Sequence, residues 1–234
     1  MSFRLPRGVV LPVHEIDVRL LDSPHPYEAS HTDAIAANWQ QEHAANPHLF
    51  NGTMVLLSSF ELSDARLVGE CHPVKYATML HWRKHKGPNG VEHSFAFPAL
   101  VSRDNALVAI RMGKHTANPG RIYFAAGSFE PSDFIDGQVD LHGNMSREVI
   151  EETGLNINAA PHDPHCHIYS ENYSTVIFRR YWLDEDADVL ARRIEEFVAS
   201  EEEPEIEGPV IIRKDDMPEG MSPHMAAIVR WHFG

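Results

Sequence analysis

The 234-residue sequence contains only two cysteines, Cys71 and Cys166, and neither belongs to a Cys-x-x-Cys pair. Two cysteines are too few for a disulfide framework or for a cysteine-based zinc site. No run of 18 apolar residues is present, and residues 1–8 lack the apolar core of a signal peptide. These absences predict a cytoplasmic protein that has no membrane partner.

Basic side chains are also scarce, with 20 Lys and Arg against 34 Asp and Glu and a formal net charge of −14. Affinity for nucleic acids depends mainly on the neutralisation of phosphates by Lys and Arg, so the charge disfavours a nucleic-acid partner. A compact phosphorylated ligand is compatible with this charge if cations screen it. Hydrophobic residues make up 43% of the chain and charged residues 23%, which is typical of a globular protein.

Hydrophobic periodicity and turn residues predict strands that interleave with helices. Strands are predicted over residues 16–20, 54–62, 67–72, 95–101, 107–112, 122–125, 167–169, 175–183 and 210–213. Helices are predicted over residues 32–45, where Thr32 is the expected cap, and over 75–85, 141–153, 187–200 and 223–231. This order places the fold in the α/β or α+β class.

A linker is predicted at residues 86–90, where Lys-Gly-Pro-Asn-Gly contains strong turn formers. It divides the chain into an amino-terminal α+β extension, residues 1–90, and a second domain, residues 91–234. The most acidic segment lies in the second part, because residues 184–207 contain eleven acidic and two basic side chains.

Three carboxylates are concentrated near the end of the helix predicted over residues 141–153. Glu148, Glu151 and Glu152 stand at positions i, i+3 and i+4, so they project from one face of the helix. Like charges repel at this spacing, and hard cations such as Mg²⁺ prefer carboxylate and water ligands. The pattern indicates a divalent-cation site, and a solvated acidic face is the other interpretation. Met145 and Val149 are expected to anchor the opposite side of the helix.

The segment Arg-Glu-Val-Ile-Glu-Glu-Thr-Gly-Leu, which begins at Arg147, resembles the second half of the Nudix box, Gly-x5-Glu-x7-Arg-Glu-U-x-Glu-Glu-x-Gly-U, where U is aliphatic. Residues 122–130 resemble the strand and loop that open the box, with Gly127 as its first glycine. The interval from Gly127 to Arg147 exceeds that of the family by six residues, an insertion predicted to lengthen the loop within residues 134–146. Asp133 stands where the family has its first glutamate.

The resemblance implies an αβα sandwich with a mixed sheet, covering residues 94–234. It also implies an enzyme, a Nudix hydrolase that uses Mg²⁺ or Mn²⁺ to cleave a small-molecule nucleoside diphosphate derivative. Such a metal lowers the pKa of bound water and polarises phosphorus. Whether the chain forms a homodimer stays open.

The matched positions of the box carry the implied roles. Glu148, Glu151 and Glu152 would be the metal ligands and catalytic residues, and Gly127 would lend its backbone carbonyl to the metal region. Arg147 would orient the glutamates through an ion pair.

Further site residues are expected outside the box. Nudix enzymes often recruit another acid as a base, and the candidates are Glu171, in a loop between strands, and Glu203, Glu205 and Glu207. Glu171 and Glu205 are favoured among these four, and Glu171 is assigned to the catalytic residues. Arg111 and Arg121, at strand ends, are the candidates for substrate binding because guanidinium groups pair with phosphates. A solvated surface charge is the alternative interpretation of each residue.

The amino-terminal region is similar to that of the Nudix subfamily that cleaves UDP-glucose and UDP-galactose. The resemblance consists of an Ile-x-x-x-Trp helix and a Pro-x-Leu-Phe segment within residues 33–52, followed by a later short helix. It implies a nucleotide-sugar substrate, with UMP and a sugar 1-phosphate as products. Trp39, Tyr76 and Trp82 are either uracil-stacking residues or core residues.

Other functions stay open at this point. ADP-ribose or another dinucleotide-like compound is the second substrate class, and a non-catalytic nucleotide-sugar sensor is the alternative to an enzyme. A Nudix-type isopentenyl-diphosphate isomerase requires a catalytic cysteine, and neither Cys71 nor Cys166 stands in a matching motif. Residues 162–167 contain three histidines, for which ordinary loop positions are favoured over a transition-metal site.

Overall fold

The computed structural model describes residues 3–234, which form two mixed β-sheets and six α-helices. The helices are α1 (Pro26–Ser30), α2 (Thr32–Ala45), α3 (Tyr76–Lys84), α4 (Leu141–Thr153), α5 (Ala187–Ser200) and α6 (Pro223–Phe233). The predicted α+β class is confirmed. Within this part of the chain, no helix combines the length and the apolar character that crossing a membrane requires.

Thirteen strands are present in the same part of the chain. They are β1 (Phe3–Arg4), β2 (Val10–Val13), β3 (Glu15–Leu20), β4 (Thr53–Ser63), β5 (Arg66–Lys75), β6 (His93–Val101), β7 (Leu107–Met112), β8 (Ile122–Tyr123), β9 (Phe134–Ile135), β10 (Gln138–Val139), β11 (Cys166–Glu171), β12 (Ser174–Trp182) and β13 (Ile206–Ile212).

The first sheet has six strands in the order β1-β4-β5-β3-β10-β9. Its centre is the predicted antiparallel pair β4 and β5, joined by a tight turn in which Asp64 and Ala65 both have positive φ. Strand β3 lies parallel to β5. Helix α3 follows β5 directly and packs against this pair.

The second sheet has the order β13-β7-β6-β12-β11-β2, and β8 pairs with β7. Alternate residues of β6 belong to two hydrophobic clusters, because successive side chains of a strand point to opposite faces. Ala96 and Leu100 pack in the cluster that contains α4 and α5, whereas Phe97 and Ala99 pack in the cluster that contains α6. Helices therefore cover both faces of this sheet, as in the predicted αβα layering.

Strand pairing joins the two parts of the chain on either side of the predicted boundary at residue 90. Residues 86–91 contain no helix or strand, as expected of a linker. Strand β2, from the amino-terminal part, pairs with β11 in the second sheet. Strand β10, from the second part of the chain, pairs with β3 in the first sheet. One hydrophobic cluster includes Val18 and Leu57 together with Leu100 and Val149. The division into an extension and a second domain stays a prediction.

Several predicted boundaries differ from those observed. Helix α1 was not predicted; the backbone N–H of Tyr27 donates to His25 Nδ1, and Pro26 is compatible with the first helical position. Thr32 is the first residue of α2 and not its cap, which is His31. The strand predicted over residues 122–125 ends at Tyr123, because the chain there leaves the sheet.

Candidate active site

Helix α4 presents the three glutamates, and its bounds match the predicted ones. Its N-terminus is capped by Asp140, whose side chain accepts a hydrogen bond from a backbone N–H of the first turn. Its C-terminus is closed by Gly154 in the left-handed conformation, with φ of 67°. Met145 and Val149 are fully buried and fix the rotation of the helix about its axis.

The glutamates do not lie opposite these apolar residues, which corrects the sequence-based expectation. Glu148 and Glu152 are each only 7% exposed and lie on the same face as Met145 and Val149. The four positions have the spacing i, i+3, i+4 and i+7, which forms one stripe on a helix. Glu151 stands apart, with 57% of its side chain exposed.

All three glutamates line a cleft with a volume of about 790 Å³. Four further carboxylates line the same cleft: Glu130, Glu201, Glu203 and Glu205. Only one cationic side chain, Arg147, is among the lining residues in the part of the chain that the structure covers. The cleft therefore has a strongly negative floor.

Burial changes the acidity of two of these groups. It raises the pKa of Glu152 to about 9, and the negative charges of Glu148 and Glu205 act in the same direction. One oxygen of Glu152 accepts a hydrogen bond from the backbone N–H of Ala126 at 3.0 Å. Burial also raises the pKa of Glu148 to about 7, against the opposing effect of the Arg147 guanidinium. In the absence of cations, both carboxyl groups thus hold their protons to higher pH than free glutamate does.

Gly127 permits the close approach of Glu148 to the loop that precedes the helix. A Cβ atom at this position would lie 2.4 Å from Oε1 of Glu148 and 2.7 Å from its Cδ. Any side chain here would displace that carboxylate, so the glycine lets Glu148 hold its observed position. The role predicted for the Gly127 carbonyl stays a prediction.

Arg147 holds carboxylates on two sides. Its Nη1 atom lies 2.8 Å from Oε1 of Glu148 and 3.1 Å from Oε2 of Glu151. Its Nη2 atom lies 3.1 Å from Oδ1 of Asp133. The guanidinium thereby joins the helix to the preceding loop.

Asp133 is the partner that the sequence left without a role. It is buried, and besides Arg147 it accepts hydrogen bonds from the Glu130 backbone N–H at 2.8 Å and from Asn144 Nδ2 at 3.0 Å. Its position six residues after Gly127, where the Nudix pattern has a glutamate, was the available signal. The shorter side chain reaches Arg147 because the loop folds back as a 3-10 turn over residues 131–133.

The six additional residues form structure of their own. They lie in the predicted region, but as the hairpin β9–β10, whose turn at Asp136 and Gly137 has positive φ at both positions. Gln138 pairs with Arg19 of β3, so the hairpin extends the first sheet. The prediction of a longer loop before α4 is therefore incomplete, because the inserted residues form two strands that pair with each other and with the edge of the first sheet.

The structure brings only some of the other candidates to the cleft. Glu205 lines it, immediately before β13. Glu171 lies outside the lining, at the end of β11, and accepts a hydrogen bond from Tyr169 Oη at 2.9 Å. Arg111 and Arg121 are also absent from the lining, and Arg111 donates to the backbone carbonyl of Gly120 at 3.2 Å.

The three histidines of residues 162–167 face different partners. His162 bonds to a neighbouring backbone carbonyl, His165 stacks on His14 with ring centroids 4.1 Å apart, and His167 packs on Trp231. His162 and His165 precede strand β11 and His167 lies in it, which agrees with the favoured interpretation of a loop that leads into a strand.

The chemistry of the cleft fits a hard divalent cation, although its present geometry is not that of a closed metal site. Throughout residues 3–234, no three His, Cys, Asp or Glu side chains are placed to hold one ion together. Arg147 occupies oxygens of Glu148 and Glu151, and a cation would have to compete with it. The donors are carboxylates, which Mg²⁺ and Mn²⁺ prefer, and Glu148 and Glu152 are buried, with Gly127 leaving room for the carboxylate of Glu148.

Comparison with known proteins gives no family. No protein-family model matches the chain, and no curated protein is similar to it in sequence. The chain is similar to the crystal structure of DR0079 from Deinococcus radiodurans, with 12% identity and a TM-score of 0.48, over 78% of this chain and 100% of that one.

Two further solved structures are similar over less of the chain. The MutT protein from Methanosarcina mazei Go1 has 17% identity and a TM-score of 0.28, over 40% of this chain and 66% of that one. The ORF135 protein of E. coli has 15% identity and a TM-score of 0.38, over 63% and 93% respectively. At these identities and TM-scores the likenesses carry no functional conclusion.

Proposed function

We propose that the chain is a divalent-metal-dependent hydrolase of the Nudix type, which cleaves a nucleoside diphosphate linked to another moiety. The observation that carries the proposal is the burial of Glu148 and Glu152 in a cleft where, among residues 3–234, Arg147 is the one Lys or Arg of the lining. Buried carboxylates are costly unless cations or hydrogen bonds compensate them. Bound Mg²⁺ or Mn²⁺ would supply that compensation and would attract a diphosphate into a negative cleft.

The residues divide the chemical work. Glu148, Glu151 and Glu152 would hold the metal, which when bound lowers the pKa of a coordinated water and polarises phosphorus. Arg147, anchored by Asp133, positions the glutamates. Glu205 accepts a proton from the attacking water. The water oxygen bonds to phosphorus and a bridging anhydride bond breaks, so that a nucleoside monophosphate and a second phosphate monoester leave.

A nucleotide sugar of the UDP-glucose type is our first choice of substrate, and ADP-ribose or another dinucleotide-like compound is the second. The amino-terminal resemblance supports this order, because five residues that line the cleft come from that region, namely Phe50, Gly52, Thr53, Met54 and Tyr76. The cleft volume of about 790 Å³ lies within the range of about 300–1,000 Å³ that is usual for small-molecule sites.

A non-catalytic nucleotide-sugar sensor is the second candidate. It is favoured by the ion pairs of Arg147 with Glu148 and Glu151, which occupy oxygens that a metal would need. The two candidates differ in turnover and share binding.

The deciding experiment incubates the purified chain and Mg²⁺ with UDP-glucose, UDP-galactose, ADP-ribose and coenzyme A, and measures the released nucleoside monophosphate. We expect release from a UDP-sugar that stops when EDTA removes the metal. Tight binding of one compound without release would support the sensor. If the chain neither hydrolyses nor binds any of these compounds, both candidates are overturned.

The role of Glu205 is tested separately. Glu205→Gln keeps the side-chain size and removes the proton acceptor, so we expect kcat to fall by about 10²–10⁴-fold. Glu171→Gln is the matched control, because Glu171 lies outside the cleft. Equal effects of the two substitutions would remove Glu205 from the mechanism.

A further inference from the structure

Phe50 is the large apolar side chain with the greatest exposure in residues 3–234, at 84%, and it lines the cleft. Single exposed apolar residues are ordinary on protein surfaces. This one stands where most of the polar lining consists of carboxylates, and Tyr76 lines the same cleft. The cleft therefore combines an acidic floor with an aromatic region from the amino-terminal part of the chain.

Two hydrogen bonds hold this aromatic region in place. The side chain of Asn51 accepts from the backbone N–H of Ala77 at 2.9 Å, and the carbonyl of Gly52 accepts from that of Tyr76 at 2.9 Å. These bonds satisfy amides at the start of α3, where Lys75 provides no side-chain cap. The loop that carries Phe50 and the helix turn that carries Tyr76 consequently form one unit.

The Phe50 ring is also supported from below. A Cβ atom on Gly52 would lie 3.1 Å from the ring, so the ring packs closely on the Gly52 backbone. Tyr76 is half-buried, with Arg83 close to its phenol. No carboxylate lies within 4 Å of the Arg83 guanidinium among the residues that the structure covers.

The other two aromatic residues considered from the sequence are not part of this region. Trp82 belongs to α3 and is fully buried in the core. Trp39 packs on His43 of its own helix, α2. Neither lines the cleft. Of the three, only Tyr76 is placed to contact a bound molecule.

We propose that Phe50 and Tyr76 form a stacking surface for the nucleobase of the bound nucleotide, and that this surface, here called the aromatic platform, selects ligands that carry a base over those that lack one. A flat base presents an apolar face that an aromatic ring binds, whereas the charged diphosphate belongs at the acidic floor with its cations. The inference rests on the proposed function in that it assigns the base of that substrate to one end of the same cleft.

The test is calorimetric titration, in Mg²⁺, of UMP, AMP and ribose 5-phosphate, which share a sugar phosphate and differ in the base. We expect the nucleotides to bind at least about tenfold more tightly than ribose 5-phosphate, because stacking on a base contributes about 1–3 kcal/mol. Phe50→Leu should remove most of this preference, since it keeps an apolar side chain without the ring, and Phe50→Trp should retain it.

Two controls separate recognition from folding. Ile135→Ala removes another apolar side chain, 62% exposed and outside the cleft, and should leave all three affinities unchanged. Thermal melting of Tyr76→Leu, a half-buried position, shows whether that variant is folded before its affinities are compared.

The outcomes distinguish this inference from the proposed function. Equal affinities of wild type for the three ligands, or a base preference that survives in Phe50→Leu, would overturn the aromatic platform even if the chain hydrolyses nucleotide sugars. A base preference that depends on Phe50, in a chain without turnover, would support the platform and leave the sensor as the function.

Discussion

Helices α4 and α5 border the same cleft and both contain several glutamates, but the carboxylates of the two helices differ in their exposure to solvent. In α4, Glu148 and Glu152 are buried. In α5, Glu195 and Glu196 are exposed, and the helix offers Phe197 to the cleft. Acid content alone therefore does not identify a site, whereas the burial of the acids does.

The reason lies in which helical positions the acids occupy. In α5 the buried residues Leu190 and Ile194 form an apolar stripe, and the acidic residues stand on the other side, where solvation costs nothing. In α4, Glu148 and Glu152 occupy positions that an apolar stripe would use. Carboxylates at core positions of a helix lose their solvation, which a cation would compensate in the proposed function, whereas carboxylates opposite the core stay solvated.

The comparison is tested most strongly by removing one charge from each helix. Glu152→Gln should lower Mg²⁺-dependent release of nucleoside monophosphate by more than about 100-fold, because even indirect partners of a metal site contribute 10–100-fold. Glu196→Gln on α5 should leave the rate unchanged, since this side chain is exposed and outside the cleft. Undiminished turnover in Glu152→Gln would exclude α4 from the chemistry.

Replacing one arginine on each helix should give the next largest effect, a loss of stability. Arg147→Ala leaves the buried carboxylate of Asp133 without its cation, and we expect the free energy of unfolding in urea to fall by about 2–4 kcal/mol. Arg193→Ala on α5 breaks only the exposed pair with Glu185, for which about 1 kcal/mol or less is expected. Similar losses in both variants would show that the Asp133–Arg147 pair is no more than a surface interaction.

The buried acids of α4 should also make stability depend on pH. The pKa of Glu152 is about 9 in the folded state and about 4.5 when unfolded, so between these values the folded state holds a proton that the unfolded state has released. Metal-free protein should therefore lose stability as pH rises from 7 to 8.5, by at most about 1.4 kcal/mol per pH unit for one proton.

Other groups also titrate in this pH window. Glu148, with a pKa of about 7, acts in the same direction as Glu152, whereas histidines with lowered pKa values, such as His93 at about 3, are partly protonated only in the unfolded state near pH 7 and act in the opposite direction. The difference in slope between wild type and Glu152→Gln therefore isolates the contribution of Glu152. Denaturation at several pH values should show a smaller slope in Glu152→Gln and an unchanged slope in Glu196→Gln. Added Mg²⁺ should stabilise the wild type more at pH 8.5 than at pH 7. A slope in Glu152→Gln equal to that of the wild type would contradict the assignment.

The smallest change in stability is expected from the glycine that accommodates Glu148. Gly127→Ala displaces the mobile end of that side chain, so the free energy of unfolding should fall by about 1 kcal/mol or less, while turnover drops by about tenfold or more. Gly87→Ala is the matched control, because only a backbone oxygen 4.0 Å away faces the added methyl group. Full turnover in Gly127→Ala would show that the position of Glu148 is unimportant.

Local patterns were sufficient to predict most of the elements. The bounds of α4 and α5 followed from apolar periodicity and from Gly154, and the β4–β5 pair followed from two apolar runs around a turn. The hairpin β9–β10 was missed, because its two-residue strands carry almost no pattern of their own and exist through pairing with β3.

The candidate site was predictable only in part. The three glutamates, Arg147 and Gly127 are close in sequence or belong to one motif, and the structure gathers them. The choice among acids outside the motif was not predictable, because whether Glu171 or Glu205 reaches the cleft depends on how distant strands pack. The place of Phe50 beside the acids depends equally on how the amino-terminal part folds against the rest.

The sequence by itself determined the α+β class, the helix that carries the carboxylates and the glycine that ends it, since these depend on short-range periodicity and backbone preference. Only the tertiary structure decided which carboxylates are buried, that Asp133 pairs with Arg147, and that Phe50 and Tyr76 border the acidic cleft. Burial, and with it the raised pKa of Glu152, arises from the packing of segments far apart in the chain, which no local pattern encodes.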